Sequence, residues 1–140
     1  MRIAQLAPLA ETVPPKRYGG TERVVSWLTE ELVSIGHEVT LFAAAGSRTK
    51  GELVPVWPGA TRLSRHRPDP FAAVAPLLEA VAERAAEFDI IDAHTDWVHL
   101  PVLRRLKVPF VTTLHGCLDL PYLRTTLSCF PRAPFVSIFR

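Results

Sequence analysis

The chain has 140 residues, 48% of them hydrophobic and 21% charged, a balance that fits one soluble globular domain and excludes a disordered chain. A formal charge of +2 is too small to point to a nucleic-acid partner. No apolar run reaches the roughly 20 residues of a membrane helix, and Gln5 and Pro8 break any secretory leader core. The expected address is cytoplasmic.

In chain order, Arg2 to Pro8 reads as a short buried strand that Pro8 ends. A loop rich in proline and charge follows. Thr21 is the expected N-cap of a first helix, with Val24, Leu28, Leu32 and Ile35 as its apolar stripe and Gly36 as its stop. Val39 to Ala44 is a second strand and Leu53 to Trp57 a third. Thr61 to Pro70 reads as a loop holding a basic cluster, Arg62, Arg65, His66 and Arg67. That cluster is read as solvated, with weak contact to a membrane surface or an acidic acceptor as the alternative.

Phe71 to Phe88 is the expected second helix, with Val74, Leu77, Leu78 and Val81 on one face and Pro76 in its first turns. Asp89 to Ala93 is a fourth strand, Val98 to Leu106 a helix starting near Pro101, and Pro109 to Leu114 a fifth strand. Leu120 to Cys129 is a weak helix. Phe135 to Phe139 is the last strand, with Val136 and Ile138 on one face and Phe135, Ser137 and Phe139 on the other, its apolar side chains left open to water. The two cysteines, Cys117 and Cys129, form no redox or zinc motif and read as small buried or half-buried side chains. Strands alternating with helices predict an α/β, Rossmann-like doubly wound parallel sheet of order 3-2-1-4-5-6.

Such sheets bind ligands at the carboxyl ends of their strands, where the strand order reverses. That singles out the loops after strands one, four and five. The first holds Tyr18, Gly19, Gly20, Thr21 and Glu22, with the two glycines beside a helix N-terminus. Such a loop lets a backbone come close to an anionic group; a plain turn and a phosphate or sugar contact stay equally open. The GxGxxG pattern is missing, which counts against a nicotinamide or flavin site. After strand four come His94, Thr95 and Asp96, and after strand five His115, Gly116 and Asp119. Two histidines at equivalent positions on adjacent strands point to one cleft, whereas His37 lies at the opposite end and is expected to be inert. His66 and His99 are expected on the surface. No metal-ligand spacing or GxSxG elbow is present.

Together, Arg2–Pro8, Pro14–Val25, Gly36–Ala43, Phe88–His94 and Thr112–Gly116, in that order, resemble glycosyltransferase family 4. The resemblance implies a GT-B architecture of two Rossmann-like domains, in which this chain, residues 1–140, is the N-terminal, acceptor-side domain. It implies a retaining, metal-independent enzyme with no cofactor, which moves a sugar from a nucleotide-sugar donor to an acceptor: a glycan, a lipid or a small molecule. Gly19 and Gly20 would face the donor diphosphate. His115 would line the reacting centre and hydrogen-bond a hydroxyl rather than act as a general base. Tyr18, Thr21, Glu22, His94, Asp96, Gly116 and Asp119 would line the acceptor side of the cleft.

Asp92 and Ala93 depart from the His-Asn that related sequences often carry. The chain stops after Val136–Arg140, where the resemblance implies a C-terminal donor domain, so the expectation is a truncated chain that transfers no sugar alone. The alternatives are a non-catalytic sugar- or lipid-headgroup-binding fragment partnered by a separate donor domain, and an unrelated Rossmann-like nucleotide-binding protein.

Overall fold

The computed structural model describes residues 1–138. Six parallel strands form one sheet in the order β3-β2-β1-β4-β5-β6. The strands are β1 (Arg2–Leu6), β2 (Glu38–Ala44), β3 (Glu52–Trp57), β4 (Ile90–Ala93), β5 (Phe110–Leu114) and β6 (Phe135–Ser137). The helices are α1 (Gly20–Ser34), α2 (Pro70–Arg84), α3 (Leu100–Leu103) and α4 (Pro121–Ser128), and a 3-10 turn, Ala85–Glu87, follows α2. The expected α/β class and strand order are both present.

β1 and β2 are central, and after their first residue every side chain is buried. This is the continuous apolar run that a parallel strand covered on both faces requires. Side-chain alternation divides the core. Ala4, Leu6, Phe42, Ala44, Ile91 and Ala93 join Ala73, Leu77 and Val81 of α2 in the larger cluster. Ala7, Leu41 and Ala43 meet Val25 of α1 in the smaller one. Phe42, fully buried, meets Phe88 edge-on at 5.9 Å, and its burial contributes roughly 1.5–3 kcal/mol.

Several local expectations are corrected. Gly19, not Thr21, caps α1: its backbone is extended and its carbonyl accepts the first helical bond, from the Arg23 N–H at 3.0 Å. The inward face of α1 is also rotated from the expected stripe. Glu22, Val25, Ser26 and Thr29 are buried, while Ile35 is exposed. Gly36 does end the helix. It adopts φ +95, and the Gly36 and His37 N–H groups bond the carbonyls of Val33 and Leu32, the paired closure a left-handed glycine permits.

Asp69 caps α2 through its carboxylate, which accepts from the Phe71 N–H at 2.8 Å, and Pro70 takes the first turn. Pro76 lies deeper in α2 than its first turn, so the Ala72 carbonyl loses its helical partner on the exposed side. α3 is shorter than expected because three-residue turns flank it: Val98 bonds Thr95 and Leu106 bonds Leu103. Both cysteines are exposed rather than buried. Val136 and Ile138 are open to solvent as expected, while Phe139, the expected end of that strand, lies outside the described residues. No helix among the described residues is long and apolar enough to cross a membrane.

Candidate functional site

The parallel register brings chemistry-bearing residues together at the carboxyl ends of β1, β4 and β5. Gln5 pairs with Asp92 across β1 and β4, and Asp92 with Val111 across β4 and β5. Alternation puts Asp92 and His94 on the same side of the sheet. The His94 Nδ1 lies 2.7 Å from the His115 Nε2, and its Nε2 lies 3.1 Å from an Asp92 carboxylate oxygen. Asp92 also accepts from the Gln5 side-chain amide at 3.1 Å and from the Thr113 hydroxyl at 3.4 Å. His94 is buried and His115 half-buried. Burial holds the His115 imidazole below its usual pKa; nearby His94 adds to this and Asp92 opposes it. The arrangement is a line, carboxylate to imidazole to imidazole, that begins in the sheet and ends at the half-buried His115 after β5. Among the described residues, no three His, Cys, Asp or Glu side chains are placed to hold a metal ion.

The glycine loop is built differently. Gly19 is buried and Gly20 exposed. A Cβ on Gly19 would lie 2.7 Å from the Pro15 Cβ and 3.0 Å from a Glu22 carboxylate oxygen, whereas one on Gly20 would meet nothing within 4 Å. Gly19 therefore allows close packing, while Gly20 opens the α1 N-terminus. Glu22 is buried beneath the loop, and its carboxyl pKa is raised by that burial against the pull of backbone amides. Tyr18 is exposed and Thr21 half-buried. The Arg62 guanidinium covers the Tyr18 ring at 5.4 Å, donates to its carbonyl at 3.3 Å and pairs with Glu11 at 3.5 Å. Arg62 thus ties two loops together, while Arg65, His66 and Arg67 remain exposed.

Asp96 stands at the rim beside His94, in the left-handed backbone region at φ +52. Its carboxyl pKa is raised by burial. His94 and Asp96 help to line a pocket of about 290 Å³, whose wall is otherwise mostly apolar, with Pro8, Leu9, Val74 and Leu77 beside two threonines, Thr61 and Thr95. Gly116 and Asp119 are exposed in the loop after β5. Of the residues picked out at the ends of β4 and β5, His94 and His115 are brought into direct contact.

His99 is a correction. It is fully buried, bonded by Thr95 at 2.8 Å and Thr112 at 2.7 Å, and burial lowers its pKa to about 4. It lies against Phe110, edge-on at 6.2 Å, on the sheet face opposite Asp92. Gln5, Asp92 and Thr113 were missed as members of the site. The signal was a polar residue in the middle of each of three apolar strands.

A sequence profile of Glycosyltransferase Family 4 matches residues 18–136. No curated protein matches the chain. Among solved structures, AviGT4, a glycosyltransferase involved in avilamycin A biosynthesis, is similar with a TM-score of 0.52 and 26% identity, over 82% of this chain and 32% of that one. The C-terminal domain of the coenzyme A biosynthesis bifunctional protein CoaBC gives 0.59 and 18%, over 97% and 76%. Sucrose-phosphate synthase from Thermosynechococcus elongatus gives 0.57 and 14%, over 98% and 47%. The last two share the fold alone, and the chain spans less than half the length of AviGT4 and of the sucrose-phosphate synthase. The profile covers most of the chain, from the glycine loop through β6, and the chain belongs to Glycosyltransferase Family 4.

Proposed function

We propose that the chain is the acceptor-side half of a retaining, metal-independent glycosyltransferase that uses a nucleotide-sugar donor. The observation that carries this is the 2.7 Å contact between His94 and His115 at the carboxyl ends of two adjacent parallel strands, where open α/β sheets take their ligands. In such a transfer a nucleoside diphosphate leaves with negative charge while the sugar becomes oxocarbenium-like. Amide dipoles at the α1 N-terminus, left open by Gly20, would stabilise the departing charge. The half-buried His115 would hydrogen-bond an acceptor hydroxyl and orient its attack. The apolar pocket beside Asp96 would hold the body of the acceptor.

Half a cleft neither preorganises the diphosphate nor excludes water, so transfer requires a donor half facing this one. The test is a transfer assay with a panel of nucleotide sugars and with lipid, glycan and small-molecule acceptors. It is run on the chain alone and on the chain joined to the donor half of a family member. Transfer is expected only from the joined protein. Turnover by the chain alone would overturn the division of labour, and a joined, folded protein inert with every donor would overturn the assignment to sugar transfer.

A further inference from the structure

Asp92 is the residue at this site whose chemistry the proposed transfer does not yet use. It is one-seventh exposed on its side chain, at 14%, and sits in the middle of β4. A carboxylate held inside a sheet needs compensation, and three groups supply it: the Gln5 amide, the Thr113 hydroxyl and the His94 ring. Each can act as a donor, and an ionised carboxylate can only accept.

That one-way chemistry propagates. Because Asp92 accepts, the His94 Nε2 must carry the hydrogen between them. In neutral His94 the Nδ1 is then a bare lone pair, so the 2.7 Å contact to His115 requires the hydrogen to sit on the His115 Nε2. Neutral His115 then has no hydrogen on Nδ1, and no described protein group bonds that atom. We propose that Asp92, acting through His94, is the positioning residue that fixes His115 in the tautomer with a bare Nδ1, so that the cleft offers an acceptor to a substrate hydroxyl and not a donor to an anion. The use of that atom rests on the transfer reading above; the tautomer itself does not.

The groups facing this line are few, and one of them is the carboxyl of Asp96, at the rim beside His94. Asp92 and His94 come from β4 and the residue after it, and His115 follows β5. His99, ahead of α3, feels His94 electrostatically from the other face. Gln5 of β1 and Thr113 of β5 are uncharged. Protonation of His115 places a cation near Asp92, so that carboxylate favours it, while burial and the His94 ring oppose it.

Asp92→Asn separates positioning from simple packing because it keeps the shape and changes the hydrogen count. Thr113 would hold the Asn oxygen where it now donates to Asp92. The Asn nitrogen would then face His94 and donate to its Nε2, while Gln5 would turn its carbonyl oxygen, buried without a partner at present, to accept from the same nitrogen. Both imidazoles should therefore switch tautomer.

The experiment is long-range proton–nitrogen NMR of the histidine rings in the chain, from pH 5 to 8, for wild type, Asp92→Asn and Thr113→Val. In wild type at neutral pH we expect His115 with its hydrogen on Nε2. In Asp92→Asn we expect it on Nδ1, with the midpoint for protonating His115 lowered. Thr113→Val, which keeps the carboxylate, should retain the wild-type tautomers. A wild-type His115 carrying its hydrogen on Nδ1 overturns the proposal even if no variant folds, and so does a folded Asp92→Asn with unchanged tautomers. No substrate is present, so a failed transfer assay leaves this result standing, and a wrong tautomer leaves sugar transfer untouched.

Discussion

The two ends of the sheet handle polar groups in opposite ways. At the amino end lies a cavity of about 530 Å³, with Arg2, Glu38, Lys50, Glu52, Arg84 and Glu87 in its wall. Most of its charges are paired near the surface, Arg2 with Asp89 at 2.8 Å, and Arg84 with Glu52 at 2.8 Å and Glu87 at 2.6 Å, while Glu38 and Lys50 make no ion pair among the described residues. At the carboxyl end the pocket is smaller, about 290 Å³, but the polar groups beside it are buried and bonded to one another in a line that stops at the half-buried His115. The larger hole is therefore the weaker candidate. Solvent-screened pairs satisfy one another and leave little for a ligand. A buried line with one open end carries the cost of desolvation and keeps an unused atom.

The sharpest way to break this comparison lies within the carboxyl end itself, where the buried imidazole of His99 and the half-buried one of His115 are expected to act differently. His99, locked between Thr95 and Thr112, is structural, with a pKa of about 4 against an ordinary 6.5. A base whose folded pKa is depressed contributes stability that is fully present above pH 6.5 and is lost as pH falls toward 4. The span corresponds to about 3 kcal/mol. His99→Gln keeps hydrogen-bonding groups and removes the titration, so urea melts between pH 7 and 4 should fall less steeply than in wild type. Parallel slopes would show that His99 is not the buried neutral group described here.

His115 should instead affect turnover and not stability. In the joined, transfer-competent protein, His115→Ala is expected to lower turnover by a factor on the order of 100, as losing a positioned polar group commonly does. His37→Ala, at the amino end, where the imidazole bonds the chain's own N-terminal ammonium at 3.2 Å, should leave it nearly unchanged. Equal small effects would remove the functional distinction between the two ends.

The sheet order was legible in the sequence because each central strand is an apolar run bounded by proline, glycine or charge, and parallel sheets need nothing subtler. The histidine pair followed from topology alone. The rest of the line was hidden because its partners are remote: Gln5 and Asp92 are 87 residues apart, and only strand register makes them neighbours. His99 looked like a surface histidine because its second partner, Thr112, belongs to another strand. The α1 stripe was misplaced because its inward face carries Glu22, Ser26 and Thr29, polar residues that a search for apolar periodicity assigns to water.

The two glycines beside α1 sharpen the same contrast on a smaller scale. Gly19→Ala forces its Cβ against Pro15 and Glu22 and should cost about 1–3 kcal/mol. Gly20→Ala fills open space at the start of a helix, so stability should change by no more than about 0.5 kcal/mol. Thermal melts separate the two. Gly20→Val in the joined protein then asks whether that open space is where the diphosphate comes, since transfer should fall while the melt barely moves.

The smallest effect is expected at the amino end. The Arg84 guanidinium bridges Glu52 and Glu87 and covers the Phe88 ring at 5.8 Å, and the two carboxylates raise its pKa, Glu87 most. On geometry alone it would rank as the strongest ionic feature of the molecule. Both carboxylates, however, have half their side-chain surface in water, at 55% and 52%. Exposed pairs of this kind typically contribute less than about 1 kcal/mol once ordering and screening are counted. Arg84→Met keeps an aliphatic stem over Phe88 and removes only the charge. The variant should therefore lose under about 1 kcal/mol in urea unfolding, the difference should shrink further in 1 M salt, and transfer by the joined protein should be unchanged. A larger loss that salt does not diminish would show these ions to be effectively buried. A loss of transfer would make the large cavity a working site and erase the distinction between the two ends of the sheet.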